Sequence, residues 1–194
     1  MEEIELLIND DSWWVRRAVA WQGYGLDVLI NDPSEDVRAA VASRGYGLDT
    51  LINDESEYVR AAVALRGYGL DVLVNDEAPI VRKWVAANGY GLEKLIHDPE
   101  KMVRNMVACQ SYGLDVLVND ENPRVRQEVA YRGFGLDKLV NDEHWRVREV
   151  ADNYLHGLDI SLDEWIASNP DRCALPENRR EARQEKDGHK GPRA

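Results

Sequence analysis

Apolar and polar positions recur along this chain with a fixed period of 22 residues. The unit is clearest from Gly23 to Arg44, and residues 45–66 repeat it almost letter for letter. Each unit has a short apolar segment and then a second one, in which two valines stand four residues apart, as Val37 and Val41 do. This spacing is that of a helix and not the alternation of a strand. The pattern therefore predicts two helices per unit.

A constant period of this length is typical of a solenoid, in which units stack on one another. Units begin at residues 1, 23, 45, 67, 89, 111 and 133. We predict an all-α, right-handed α-solenoid of seven short two-helix repeats over residues 1–154. A C-terminal helical cap is expected over residues 155–176, because a stacked array needs a terminal element with a polar outer face. Residues 177–194 are rich in charged residues, and we expect them to be disordered.

The ends of the predicted helices are marked by turn and capping residues. Asp32 suits the N-cap of the second helix, with Pro33 at its first position and Glu35 two residues later. The helix should end at a Gly-Tyr-Gly turn, in which Gly45 takes the left-handed conformation. We expect the tyrosine of this turn to be a ring packed between repeats.

In every unit an aspartate is followed six residues later by an arginine. The run from Asp32 to Arg38, DPSEDVR, resembles the core motif of HEAT repeats, and its continuation into Ala39–Ala42 is more similar still to the leucine-rich repeat variant. The resemblance covers roughly residues 1–160 and implies a superhelical fold. It also implies a structural ladder of aspartate and arginine inside the array, although a row of arginines that reads phosphates is the alternative. The ladder residues are Asp32, Arg38, Asp54, Arg60, Asp76, Arg82, Asp98, Arg104, Asp120 and Arg126, with Asp10, Arg16, Asp142 and Arg148 in the terminal units.

The chain is acidic, with a formal net charge of −12. Such a surface repels phosphate backbones and favours basic partners, so we expect no direct contact with nucleic acid. Cys109 and Cys173 are isolated, which fits a reducing, cytoplasmic compartment and argues against a metal site. We expect no signal peptide, no membrane span and no cofactor.

Catalytic signatures are missing from the sequence. There is no nucleophile elbow, P-loop, zinc-protease motif or dinucleotide fingerprint. The nearest candidate constellation is in the fifth unit, with Lys94, His97, Asp98 and Cys109. The regular spacing of the other acids is explained by capping. The sequence therefore predicts that the protein is not an enzyme.

The informative positions are those that vary between units. On a helical wheel, the positions of Asp36, Ala40 and Ser43 and their equivalents form one stripe on the second helices. Repeat proteins bind through such stacked variable positions, although the same stripe is also suited to packing between neighbouring helices. The predicted partner-binding residues are Trp14, Trp21, Tyr58, Ile80, Trp84, Met102, Met106 and Tyr131.

The leading functional hypothesis is a monomeric, non-enzymatic scaffold that binds a protein partner, with a basic partner favoured by the charge. An inhibitor from a different class is the alternative, namely an acidic mimic of nucleic acid that blocks a DNA- or RNA-binding protein. A base-excising enzyme built on a HEAT-like solenoid ranks last, because the array has no basic groove.

Overall fold

The computed structural model of the protein describes residues 2–157, which form fourteen helices and no strand. Short and long helices alternate, and each long helix packs against the long helices of the neighbouring units. This arrangement confirms the predicted all-α repeat solenoid. The expected tail, and the expected cap beyond residue 157, lie outside the described residues. The helices are α1 Glu2–Ile8, α2 Trp13–Gln22, α3 Leu26–Leu29, α4 Glu35–Ser43, α5 Leu48–Leu51, α6 Glu57–Leu65, α7 Leu70–Leu73, α8 Pro79–Ala87, α9 Leu92–Leu95, α10 Lys101–Cys109, α11 Leu114–Leu117, α12 Pro123–Tyr131, α13 Leu136–Leu139 and α14 Trp145–Gly157.

The core lies between the row of long helices and the row of short ones. From α3 to α13, each short helix packs against the long helix before it and the long helix after it. In the second unit, Leu29 of α3 meets Val37, Val41 and Ala42 of α4, and all four are at most 1% exposed. Most units repeat this set of one leucine, two valines and one alanine, which explains the constant positions of the sequence pattern.

The Gly-Tyr-Gly turns hold neighbouring units close together. The first glycine ends the long helix in a left-handed conformation, as predicted for Gly45, whose φ is +81°. The second glycine lies against a side chain of the preceding unit. At Gly91, where φ is +62°, an added Cβ would lie 2.6 Å from Cγ2 of Val74. Glycine is therefore needed at this position for both its conformation and its lack of a side chain.

The long helices begin later than predicted. In the second unit the N-cap is Ser34 and not Asp32, so α4 starts at Glu35. The carboxylate of Asp32 instead accepts a hydrogen bond from the backbone N–H of Ser34, at 2.9 Å. This is a turn in which the aspartate binds its own backbone two residues on. The prediction of Asp32 as N-cap was wrong because the side chain is used in this turn.

The last described helix is longer than the others. α14 runs to Gly157 and so crosses the boundary expected after residue 154. The residue at the place of the usual first glycine is Leu155, which is 1% exposed and packs in the core. A leucine resists the left-handed conformation that would end the helix here.

Candidate protein-binding surface

The arginine ladder joins each unit to the next. Arg60 donates from Nε and Nη2 to the two carboxylate oxygens of Asp76, at 2.7 and 3.0 Å. Its Nη1 donates to the backbone carbonyl of Asp54 in its own unit, at 2.8 Å. The hydrogen bond to Asp76, the largest of several causes, raises the pKa of Arg60 above its ordinary value. The guanidinium is thus engaged on both sides.

The same geometry recurs between all seven units. In each case the arginine Nε lies 2.6 or 2.7 Å from a carboxylate oxygen, and both side chains are largely buried. Charge-assisted bidentate bonds of this kind are the strong class of hydrogen bond. These arginines are therefore occupied inside the array, which leaves them unsuited to reading phosphates. The pairs are Arg16–Asp32, Arg38–Asp54, Arg60–Asp76, Arg82–Asp98, Arg104–Asp120 and Arg126–Asp142.

The ends of the ladder differ from its middle. The carboxylate of Asp10 accepts from the backbone N–H of Ser12. Among the described residues, Arg148 donates to the backbone carbonyls of Asp142 and Glu143.

We call the variable positions of the long helices the outer stripe, meaning the equivalents of Asp36, Ala40 and Ser43. The structure separates them into two exposed rows and one packed row. The equivalents of Asp36 are mostly exposed and those of Ser43 are exposed or half-buried, whereas Ala40 is buried and its equivalents Trp84 and Met106 pack against the core. The exposed rows are therefore available for partner binding, whereas the row of Ala40 takes part in packing between helices.

The exposed rows carry large apolar side chains. Trp14 is 63% exposed, Tyr58 59% and Tyr131 57%. Trp21 and Met102 are also exposed, while Ile80 is half-buried against the core. Aromatic side chains and methionine are enriched at the centres of protein interfaces.

Trp84 is placed differently from these residues. Its indole is partly buried against the core, and the ammonium of Lys83 lies 5.3 Å from the ring centroid. The sequence pattern placed this tryptophan among the predicted partner-binding residues. The structure gives it a share in that packing, so removal of the indole affects stability as well as the surface.

Two further exposed tryptophans on the long helices were missed from the sequence. Trp13 and Trp145 occupy the first position of their helices, whereas the exposed Leu65 lies on the outer stripe but is not among the predicted partner-binding residues. The sequence could have indicated these tryptophans, because this position varies between units and carries glutamate, proline or lysine in the others. They were missed because the wheel comparison was confined to three positions per helix.

The aromatic rings of the turns are more exposed than expected. Each is 40–52% exposed, so packing between repeats covers only about half of the residue. Among the described residues, no contact between the rings of neighbouring turns is present. The six residues are Tyr24, Tyr46, Tyr68, Tyr90, Tyr112 and Phe134.

An acidic cleft adjoins the outer stripe at the N-termini of α4, α6 and α8. It has an open volume of about 550 Å³ and is lined by four glutamates, with Ser56, Tyr58, Arg60, Ala78 and Pro79. A second hollow of about 590 Å³ shares part of this lining and extends to Asp36. The four glutamates are Glu35, Glu55, Glu57 and Glu77.

The candidate constellation of the fifth unit is not assembled. Lys94, His97 and Asp98 line one open cleft, but Cys109 is not part of its lining. The carboxylate of Asp98 is bound by the ladder arginine Arg82. Burial is the largest of the causes that raise the pKa of the Cys109 thiol, which disfavours the nucleophilic thiolate.

Neither a metal-binding cluster nor a membrane-spanning helix is found in residues 2–157. No group of histidine, cysteine, aspartate and glutamate in this part of the chain has the arrangement of a metal site. No helix in it has the length and apolar character needed to cross a membrane. Every buried side-chain nitrogen and oxygen in the same region has a hydrogen-bond partner.

Comparison with known proteins finds a protein of similar fold but no relative by sequence. No protein-family model matches the chain, and a search of curated proteins gives no match. Among solved structures, the chain is similar to the X-ray structure of YibA from Escherichia coli. The two share 18% identity and a TM-score of 0.51, over 90% of this chain and 92% of YibA. At this identity the likeness supports the fold and carries no function.

Proposed function

We propose that this protein is a non-enzymatic scaffold that binds a protein partner through the exposed rows of the outer stripe. The observation that carries the proposal is the exposure of Trp14, Tyr58 and Tyr131, each more than half accessible on a rigid helix. Exposure of apolar aromatic surface to water is unfavourable, and its burial at an interface with a partner is favourable. Helices packed into one layer hold them in fixed positions, which lowers the ordering cost of binding.

The proposed location is a reducing compartment such as the cytoplasm. Cys109 is a free thiol, and the outer stripe needs no disulfide to hold its shape. We further propose that the protein acts as a monomer, with one partner along the stripe. The exposed rows run over several units, so a single extended or helical segment can contact them in succession.

An acidic mimic of nucleic acid fits the arrangement of charges less well. The short helices carry one exposed or half-exposed acid per unit, such as Asp27, Asp49 and Asp71. Packed helices lie about 8–10 Å apart, whereas each DNA strand has one phosphate per about 3.4 Å of helix axis. The row along the short helices, with one carboxylate per unit, is therefore much sparser than a phosphate backbone, and the denser acids of the cleft at the long helices are confined to the second, third and fourth units.

A comparison of three baits tests the proposed function. The stripe variant combines Trp14→Ala, Tyr58→Ala and Tyr131→Ala. The control variant combines Val28→Ala, Val72→Ala and Val116→Ala, which removes exposed apolar side chains from the short helices. We expect proteins from an extract of the native host to be retained equally by wild type and control, and to be lost from the stripe variant. Equal retention by all three baits would contradict the proposal.

A further inference from the structure

Tyr58 belongs both to the outer stripe and to the acidic cleft. The residue is 59% exposed and lies among carboxylates of three successive units. The two hollows described above are neighbours, because Glu35, Glu55 and Ser56 line both.

The cleft keeps its negative charge although two arginines line it. Arg38 and Arg60 each give Nε and Nη2 to a ladder aspartate of the next unit. Their contacts with Glu55 and Glu77 are long, at 3.6 and 3.9 Å, and these glutamate side chains are at least 90% exposed. Exposed pairs of this kind contribute little. Asp36, Glu55 and Glu77 are exposed, Glu57 is half-buried, and the carboxylate of the exposed Glu35 accepts a hydrogen bond from the hydroxyl of Ser56.

We propose that the acidic cleft binds a basic segment of the protein partner, with an arginine or lysine side chain over the ring of Tyr58. This inference rests on the proposed function and names the chemistry of the partner. A cation over an aromatic ring gains from the ring quadrupole, and the surrounding carboxylates add charge-assisted hydrogen bonds. The same chain already has such contacts, since Arg146 lies over Trp145 with Cζ 5.1 Å from the ring centroid.

The charge of the outer stripe also sets the orientation of the partner. In the C-terminal units, the positions equivalent to Glu35 and Asp36 carry Lys101, Arg124 and Arg146, all exposed. Like charges repel, so a basic segment is directed to the second, third and fourth units. Nucleic acids and anionic lipid surfaces are repelled by the same cleft.

Matched charge variants test this inference. The cleft variant combines Glu35→Gln, Glu57→Gln and Glu77→Gln. The control combines Asp27→Asn, Asp49→Asn and Asp71→Asn, which removes the same charge from the short helices of the same units. The probe is a synthetic amphipathic helix with leucine on one face and lysine on the other, and its glutamate counterpart is the negative probe.

We expect the lysine peptide to bind wild type and control alike, and its Kd to rise about tenfold for the cleft variant, as three exposed ion pairs predict. The glutamate peptide should not bind. Equal weakening in both variants, no weakening in either, or no binding of the lysine peptide to wild type would overturn the inference.

The baits of the previous section separate this inference from the proposed function. If captured proteins are lost from the stripe variant but retained by the cleft variant, the scaffold function stands and the basic partner is wrong. If both variants retain them, the proposed function itself is contradicted. We expect the captured proteins to be lost from both the stripe variant and the cleft variant, and to be retained by the two control variants.

Discussion

At the scale of single residues, each ladder aspartate of the inner units accepts hydrogen bonds from three other residues. Asp54 shows this pattern, because its carboxylate binds Arg38 of the preceding unit and the backbone N–H of Ser56. Its backbone carbonyl accepts from Arg60. One residue thus fixes a turn inside its own unit and the contact with the unit before it. This explains why the aspartate and the arginine never vary between units.

Removal of one ladder arginine should destabilise the array. Arg60→Ala leaves the carboxylate of Asp76, which is largely buried, without its bidentate partner. We expect the free energy of unfolding to fall by about 2–3 kcal/mol, as measured by urea denaturation. Arg17→Ala, which removes an exposed arginine, is the control and should change it by less than about 0.5 kcal/mol. Equal stability of the two variants would refute the structural role of the ladder.

The ladder also predicts how stability depends on pH. Burial alone would raise the pKa of Asp32, but hydrogen bonds from Arg16 and from the N–H of Ser34 outweigh it and hold this pKa below its usual value. The pKa of Asp142 is lowered in the same way by Arg126. A lowered pKa means that the native carboxylate stays ionised at a pH where the unfolded chain already binds a proton. The resulting stability is present above about pH 4 and is lost as the pH falls through the native pKa.

We therefore expect a pH-dependent difference between wild type and Asp32→Asn. At pH 7 the wild type should have the higher Tm, and the difference should narrow as the pH falls from about 4 towards 2. Thermal unfolding followed by circular dichroism measures both values. A difference that stays constant over this range would show that the charge of Asp32 does not stabilise the fold.

At the scale of elements, the Gly-x-Gly turn sets the distance between units. Its two glycines have different roles, although both have positive φ. An added Cβ at Gly89 meets no atom within 4 Å, whereas at Gly91 it would clash with Val74. In the sixth unit the first glycine is replaced by Ser111, with φ of 57°, so that position tolerates a side chain.

Two alanine substitutions in this one turn separate the cost of the left-handed backbone from the cost of a steric clash with the neighbouring unit. Gly89→Ala should cost about 1–2 kcal/mol, which is the price of a left-handed conformation for a residue with a Cβ. Gly91→Ala should cost clearly more, because the rigid, buried Val74 must also move. Urea unfolding of both variants provides the comparison. Equal losses would mean that the units are not in close contact at the second glycine.

The fold of the repeats was predictable from the sequence, whereas helix starts and exposure were not. The 22-residue period and the i, i+4 valines depend only on local geometry, so they predicted two helices per unit. The start of α4 was missed because Asp32 has two uses, as N-cap or in a turn with its own backbone, and these look alike in sequence. The half-burial of Trp84 depends on how neighbouring helices pack, which no local pattern contains.

At the scale of the whole molecule, different parts of the array provide stability and the proposed binding surface. Constant residues lie between the rows of helices or in the ladder, while two of the three variable rows of the long helices face outwards. In the described part of the chain the main contacts between long helices join neighbouring units, so a change in one outer side chain should leave distant units unaffected. Such a surface can change its partner without changing the fold. The central claim is that a protein partner covers the exposed rows of the outer stripe.

Hydroxyl-radical footprinting of the complex with the captured partner tests this claim most directly, because the molecule carries its own control. Trp14, Tyr58 and Tyr131 lie on the outer stripe, whereas Tyr24 and Tyr46 lie in the turns, and all five are exposed in the free protein. The account predicts that partner binding protects the three stripe residues from oxidation and leaves the two turn tyrosines unchanged. Protection of the turn tyrosines with unchanged oxidation of the stripe would contradict it.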